Sequence, residues 1–408
     1  MSIITLFSGS FCDENLVIQE IISRTGYRLI TDNEVVAEAS RHSQMAESKI
    51  IRAFSAGISV FNKFTHEKAR SIAFLKLALA ELIPDDNTLV TSFCGQMIPK
   101  TVSHTLRVCL IANMKYRIGA ASREQGISHK EAAKLAQKRE KDCSAWTDLL
   151  FNQSDPWNAG LYDIVIPTDK TTPADAATLI ADNAASDAVR PTESSQQALA
   201  DFRLAAGTEV ALAREGHNVD VSAKGGSITI TINKHVLMLS RLQDELRSIA
   251  EQVPGVKAVE TKIGKGFHKS DIYRKHNFEM PSKVLLVDDE REFVQTLSER
   301  LMMRDMGPAV AYDGESALNL IREDEPEVMI IDLKMPGING LEVLRTVKET
   351  RPEIEVIILT GHGHDDDREL CMKLGAFAYL QKPLDINELS EIIKKANEKI
   401  RQKKASQR

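Results

Sequence analysis

A chain of 408 residues, 43% apolar and 27% charged, has room for two to four domains with cores of their own. Its net charge of −6 gives no general reason to expect nucleic acid as a partner. Five cysteines (Cys12, Cys94, Cys109, Cys143 and Cys371) stand far apart with no Cys-x-x-Cys pair, which argues against disulfides and zinc and for a reducing, cytoplasmic setting.

The chain begins Met1-Ser-Ile-Ile-Thr-Leu-Phe-Ser, without the basic flank and long apolar core of a signal peptide, and no run approaches a membrane span. Ile3 to Phe7 reads as a buried strand, Asn15 to Arg24 as the helix after it, and Gly26 to Ile30 as a second short strand. Helical pattern dominates from Glu34 to Leu82. Thr88 to Ser92 and Leu106 to Ile111 are further strands, and Lys115 to Lys141 is a charged helical stretch broken near Gly126-Ile-Ser128. Tyr162 to Ile166 predicts one more strand and Pro173 to Ala184 a closing helix.

This order of elements resembles the cytidylate-kinase-like family of P-loop nucleoside monophosphate kinases, over residues 1–185. The resemblance is clearest in Leu106-Arg-Val, Tyr116-Arg-Ile, Gly126-Ile-Ser followed by Glu131-Ala-Ala-Lys134, and Leu161-Tyr-Asp-Ile-Val-Ile-Pro-Thr-Asp-Lys170. It implies a P-loop kinase-like α/β fold. The phosphate loop departs from the family. Such a loop needs glycines for close backbone approach and a lysine for the phosphates, yet the Gly-Ser-Gly-Gly segment falls on Phe11-Cys-Asp-Glu14. Asp13 and Glu14 are expected to favour the helix start through its dipole and to oppose a triphosphate by like charge. The Gly-Arg-Gly-type segment reads Phe93-Cys-Gly-Gln96, and Cys143-Ser-Ala-Trp146 stands where a lid arginine is implied. A kinase-like unit without activity is therefore expected. Arg117, Arg123, Lys130, Lys134, Lys138, Arg139 and Lys141, with Glu124, Glu131 and Glu140 among them, read as a solvated charged face.

Ala185 to Gln197 is rich in Ala, Ser, Asp and Pro and reads as a linker. Residues 198–263 form a second unit. A helix from Ala198 to Ala205 precedes the strand Val219 to Ala223, then Gly225-Gly226 and the period-two strand Ser227 to Ile232. A helix over Leu237 to Val253 and a strand over Val256 to Ile263 close the unit. The Gly-x-Ile-Thr-Ile strand and the Val-Pro-Gly-Val-Lys-Ala-Val close resemble a BON domain, a small α+β module associated with binding and attachment. Gly264 to Pro281 reads as a basic linker.

Lys283-Val-Leu-Leu-Val-Asp-Asp-Glu290 then runs four apolar residues into three acids, as a strand buried on both faces and ending at the edge of a parallel sheet. Val328 to Ile331 ends at Asp332, Glu355 to Leu359 at Thr360, and Ala376 to Leu380 at Gln381-Lys382-Pro383. Helical stretches over Phe293–Met303, Ser316–Glu323, Leu341–Glu349 and Leu384–Ile400 alternate with them, predicting a doubly wound sheet of about five strands. One sheet edge would gather Asp288, Asp289, Asp332, Thr360 and Lys382. Carboxylates gathered so need a hard dication such as Mg²⁺, and one of them can act as an oxygen nucleophile toward a phosphoryl group. His362 and His364 flank Gly363 without ligand spacing.

With Val-Asp-Asp-Glu, Asp-Leu-Lys-Met-Pro-Gly-Ile-Asn-Gly-Leu-Glu, Leu-Thr-Gly-His-Gly and Gly-Ala-Phe-Ala-Tyr-Leu-Gln-Lys-Pro, residues 282–402 closely resemble the receiver domain of two-component response regulators. The resemblance implies a flavodoxin-like five-stranded fold and Asp332 as phosphoacceptor. It further implies Mg²⁺ held by Asp288, Asp289, Asp332 and the Lys334 carbonyl, with Thr360, Tyr379 and Lys382 reading the phosphate. A sensor histidine kinase or phosphotransfer protein follows as a partner, and a homodimer through the receiver stays open. Little chain follows this segment, so a DNA-binding helix-turn-helix after it is not expected. The upstream units would be the output, through an unidentified partner protein. The alternative is a cytidylate-like nucleoside monophosphate kinase regulated by the receiver.

Overall fold

The computed structural model describes residues 2–57, 67–83, 87–234, 236, 238–265, 267, 283–302, 304, 306–361 and 365–406. They divide into two compact units, one before and one after the basic stretch at 268–282. His362 and His364 lie outside the described residues, as does all of that stretch.

The first unit opens with β1 (Ile3–Ser8), α1 (Glu14–Thr25), β2 (Arg28–Ile30), α2 (Asp32–Ser43), α3 (Glu47–Ile51), α4 (Glu67–Leu82), β3 (Thr88–Thr91) and α5 (Ser92–Gly95). It continues with β4 (Thr105–Ile111), α6 (Met114–Gln125), α7 (His129–Phe151), β5 (Ile164–Pro167) and α8 (Pro173–Ala184). The five strands are parallel in the order β2-β3-β1-β4-β5. Because strand side chains alternate, β1 sends Ile3 and Phe7 into one apolar layer with Phe74, Phe93 and Trp146. It sends Ile4 and Leu6 into the other layer, with Val17, Leu89 and Ile180. The break between α6 and α7 is made by Gly126 at φ 66 and by the Ser128/Glu131 capping box that starts α7.

The stretch expected as a linker is partly helix. α9 (Glu193–Arg214) starts at a capping box of Thr192 and Ser195 and runs 22 residues, far beyond the short helix expected at 198–205. Alanine favours helix and the Thr-Glu-Ser-Ser start caps it, so a composition that suggests a flexible joint folds into a rigid one. Leu199, Phe202, Ala206 and Val210 enter the core shared with α4. Arg203 donates to the carbonyls of Ala80 and Ile83 at 3.1 and 2.7 Å, and Lys76 pairs with Glu209 at 2.9 Å. Leu212 on the same helix enters a different core, that of β6 (Asp220–Lys224), β7 (Ser227–Ile232), α10 (Leu239–Glu251) and β8 (Ala258–Ile263). In that small sheet β7 is central, antiparallel to β6 and parallel to β8. Its hairpin turns on Gly225 and Gly226 at φ 59 and 88. Asp201 of α9 accepts from the Gly225 N–H at 2.9 Å.

The second unit alternates throughout. Its elements are β9 (Val284–Val287), α11 (Arg291–Met302), β10 (Pro308–Ala311), α12 (Gly314–Glu323), β11 (Val328–Ile331), α13 (Gly340–Thr350), β12 (Glu355–Thr360), α14 (Asp365–Lys373), β13 (Ala378–Gln381) and α15 (Ile386–Ser406). All five strands are parallel, in the order β10-β9-β11-β12-β13. This is the flavodoxin-like order, with its switch point between β9 and β11. β10 is an edge strand that no apolar run announced; only Val310 in Pro308-Ala-Val-Ala311 is a strong strand former. Among the described residues no helix is long and apolar enough to cross a membrane.

Candidate functional site

The switch point brings the carboxyl ends of β9 and β11 side by side. Asp288 follows β9 and is 1% exposed; Asp332 follows β11 and is 6% exposed. Carboxylate oxygens of Asp288, Asp289 and Asp332 lie within 4.8 Å of one another. Lys382, just past β13, reaches into this group. Its Nζ is 2.7 Å from Asp288 Oδ2, 2.9 Å from Glu290 Oε1 and 3.2 Å from Asp332 Oδ2. Burial works against the Lys382 charge, but the hydrogen bonds to Asp288 and Glu290 and the field of the acids outweigh it and raise its pKa. Burial pushes Asp288 up, against the pull of Lys382 and the Glu290 N–H, which donates to it at 2.9 Å.

Three acids share the one ammonium and exposed Asp289 adds a fourth negative charge beside them, so the group carries an uncompensated negative charge; the carboxylates of Asp288 and Asp332 are buried. At about 4 Å each like-charged pair repels by about 4 kcal/mol at an effective dielectric near 20. The donor set is all oxygen. It fits a hard dication of the Mg²⁺ type.

The residues expected to read a phosphate are close by. Thr360, the last residue of β12, is fully buried, and the Lys382 N–H donates to its carbonyl at 3.0 Å. The Tyr379 ring packs half-buried against the layer that holds Val356 and Ile358. Its hydroxyl is buried and has no hydrogen-bond partner among the described residues. The Lys334 N–H donates to Asp332 Oδ1 at 3.3 Å.

Three participants went unrecognised in the sequence. Glu290 is a third acid on Lys382, and the Phe293 ring lies 4.2 Å from the lysine Nζ. Gly340 is the third: a Cβ there would stand 2.0 Å from the Asp332 carbonyl oxygen. Glu290 and Phe293 are visible as residue types, but their reach to a lysine 92 and 89 positions away is not. Gly340 could have been suspected from the Gly-Ile-Asn-Gly spacing after Asp332, where a loop must return close to a strand end.

In the first unit, the loop after β1 is filled by its own chain. A Cβ at Gly9 would meet Cys12 Sγ at 3.1 Å, the Trp157 ring at 3.5 Å and Arg117 Cζ at 3.6 Å. Arg117, 4% exposed, donates from Nε to the Ser10 carbonyl at 2.8 Å and pairs with Glu140 at 2.6 Å. Asp13, expected to favour the start of α1, stands at its N-cap but makes no side-chain cap bond; its carboxylate accepts from the Tyr116 hydroxyl at 2.6 Å. That bond raises the Tyr116 pKa to about 12. Arg139 lies 4.0 Å over the Phe93 ring and faces Glu14 and Asp32. Burial, aided by Asp32 and opposed by Arg139, pushes Glu14 up to about 7. Arg117 and Arg139 therefore turn inward, contrary to the solvated face expected of all seven basic residues. Arg123, Lys130, Lys134, Lys138 and Lys141 are exposed as expected.

Residues 284–394 match the response regulator receiver domain, and residues 3–170 match the cytidylate kinase-like family. The C-terminal unit is a receiver domain, and the first 170 residues carry a cytidylate-kinase-like domain. The chain is 42% identical over 108 residues to the transcriptional regulatory protein CpxR of Escherichia coli strain K12, and equally to that of Klebsiella pneumoniae. Each match covers 26% of this chain and 46% of the relative, so the matched segment spans about half the length of those proteins. Similar solved structures include a receiver domain protein from Clostridium thermocellum, 37% identical over 29% of this chain and 94% of that one, TM-score 0.28. A second is a receiver protein from Pseudomonas putida, 30% identical over 28% and 95%, TM-score 0.27.

Proposed function

We propose that this protein is a response regulator of a two-component phosphorelay, phosphorylated on Asp332 and signalling through its upstream units by contact with a partner protein. The observation that carries this reading is the convergence of Asp288, Asp289 and Asp332 at the carboxyl edge of the receiver sheet, with Lys382 bonded to the first and last of them. Asp332 Oδ attacks the phosphorus of a phosphohistidine on a histidine kinase or phosphotransfer protein. The P–N bond breaks and its electron pair returns to the imidazole nitrogen. Asp288, Asp289, Asp332 and the Lys334 carbonyl would hold Mg²⁺, which when bound supplies positive charge to the phosphoryl oxygens. Lys382 supplies a second cation there, and Thr360 a hydroxyl donor.

Phosphorylation is then read by Thr360 and Tyr379, a local change that biases a two-state surface. The division into a kinase-like domain at 1–185, a BON-like domain at 198–263 and a receiver at 282–402 follows the resemblances. α9 joins the first two, so they act as one body. The kinase-like domain transfers no phosphate in this reading, because its loop lacks the lysine and has Arg117 and Trp157 packed against Gly9.

The test is labelling with a small phosphoryl donor and Mg²⁺. Wild type gains one hydroxylamine-labile phosphate, and Asp332→Asn gains none. Equal labelling of the variant would sink the assignment.

A further inference from the structure

In the first unit the hairpin of α6 and α7 is bonded to the loop after β1 and its surroundings at five places. Tyr116 Oη donates to Asp13 Oδ2 at 2.6 Å, and Arg117 Nε donates to the Ser10 carbonyl at 2.8 Å. Arg139 Nη2 donates to the Ser92 hydroxyl at 3.4 Å while its guanidinium stacks on Phe93. Asp142 Oδ1 accepts from the Ala56 N–H at 2.8 Å. Trp146, fully buried, donates from Nε1 to the Phe93 carbonyl at 3.0 Å and meets Phe54 and Phe93 edge-on. Each bond joins a residue of the hairpin to the body of the unit.

A loop that cradles phosphates leaves its anion-facing space empty for the ligand. Here the Arg117 guanidinium and the Trp157 ring pack against Gly9, the Tyr116 hydroxyl is bonded to Asp13, and the anions beside them are the chain's own carboxyl groups. Glu140 neutralises Arg117 from within the hairpin. Glu14 and Asp32 face Arg139 from the body, and Asp32 is itself held by the N–H groups of Phe93 and Cys94 at 3.1 and 2.9 Å. Arg117 thus has a carboxylate counter-ion, and Arg139 faces two of the chain's own acidic groups, before any ligand arrives.

We propose that the α6–α7 hairpin is latched shut on the loop at residues 9–14 by Asp13–Tyr116 and by Arg117, so that the chain's own groups, and not a nucleoside phosphate, are the partners of this loop. The latch makes the hairpin part of the same rigid body as α4 and α9. A partner of this unit therefore meets a fixed surface and not one that opens and closes with a nucleotide. This rests on the reading of the unit as non-catalytic and states what holds it so.

The test is amide hydrogen exchange on the full chain, comparing wild type with Tyr116→Phe and Arg117→Lys. Tyr116→Phe removes one hydroxyl from a half-buried ring, and Arg117→Lys keeps the charge but cannot hold Ser10 and Glu140 together. Exchange over residues 9–14 and 114–125 is expected to rise about tenfold in each variant, which corresponds to about 1.4 kcal/mol of local stability. Residues 227–251 serve as an internal reference and keep their wild-type rates, separating loss of the latch from general unfolding. Unchanged exchange at 114–125 in both variants overturns the latch. Calorimetry with ATP runs in parallel: no binding by wild type supports the occupied loop, and micromolar binding overturns the non-catalytic reading beneath it.

Discussion

Replacing Glu14 by Gln tests the burial of that carboxylate through its pH signature. Glu14 opens α1, faces Asp32 and Arg139, and has its pKa pushed from 4.5 to about 7, chiefly by burial. A raised acid pKa means that the folded state holds the proton longer than the unfolded state does. Between pH 4.5 and 7 the wild type therefore loses stability as pH rises, and above 7 the loss is complete. At about 1.36 kcal/mol per unit, a shift of about 2.5 units sets a ceiling of about 3.4 kcal/mol. The side chain keeps some contact with solvent, which brings the expected figure to about 1–2 kcal/mol. Glutamine keeps the shape and never ionises, so its advantage is small at pH 5 and full at pH 8. Thermal melts of the full chain read it: the variant should melt within about 1 °C of wild type at pH 5 and about 2–6 °C higher at pH 8. An offset of equal size at both pH values would refute the reasoning, since it would owe nothing to titration.

Two more outcomes concern the receiver. Gly340→Ala sets a Cβ 2.0 Å from the Asp332 carbonyl oxygen, so strand end and helix start must separate by more than 1 Å. Labelling from a small phosphoryl donor should fall by about 10²-fold with the circular dichroism of the unit kept, as a misplaced reacting group predicts; a wild-type rate would show that the loop yields freely. Thr360→Ala should still accept phosphate at Asp332 while losing the change in hydrogen exchange over residues 365–380. If that change is as large as in wild type, Thr360 does not couple phosphate to Tyr379.

Much of the receiver was legible because its information is local. Val284–Val287, Val328–Ile331 and Glu355–Thr360 are buried on both faces, so each reads as an unbroken apolar run, and in a parallel sheet the residue after such a run lands at the ligand edge. That is why Asp288, Asp332 and Thr360 stand out in the sequence as strand-end residues. β10 could not, because a four-residue edge strand needs only one strong strand former, and its place is fixed by pairing with β9. The first unit was legible as a family scaffold for the same reason, through β1, β4 and the Gly126 break.

What only the tertiary structure decided is where charged and small residues point. Composition over 185–197 signals flexibility, yet α9 is ordered because Leu199 and Phe202 find an apolar groove beside α4, a partner more than a hundred residues away. The acids at Asp13 and Glu14 were expected to act on the helix start beside them. Asp13 instead meets Tyr116, and Glu14 meets Asp32 and Arg139, because the fold folds the α6–α7 hairpin over the loop. Arg117 and Lys130 look alike in sequence. One is buried against Ser10 and the other is in water, and only long-range packing distinguishes them. Period and strand-end chemistry are properties of a few neighbouring residues, whereas the partner of a long polar side chain is set by the whole chain's closure.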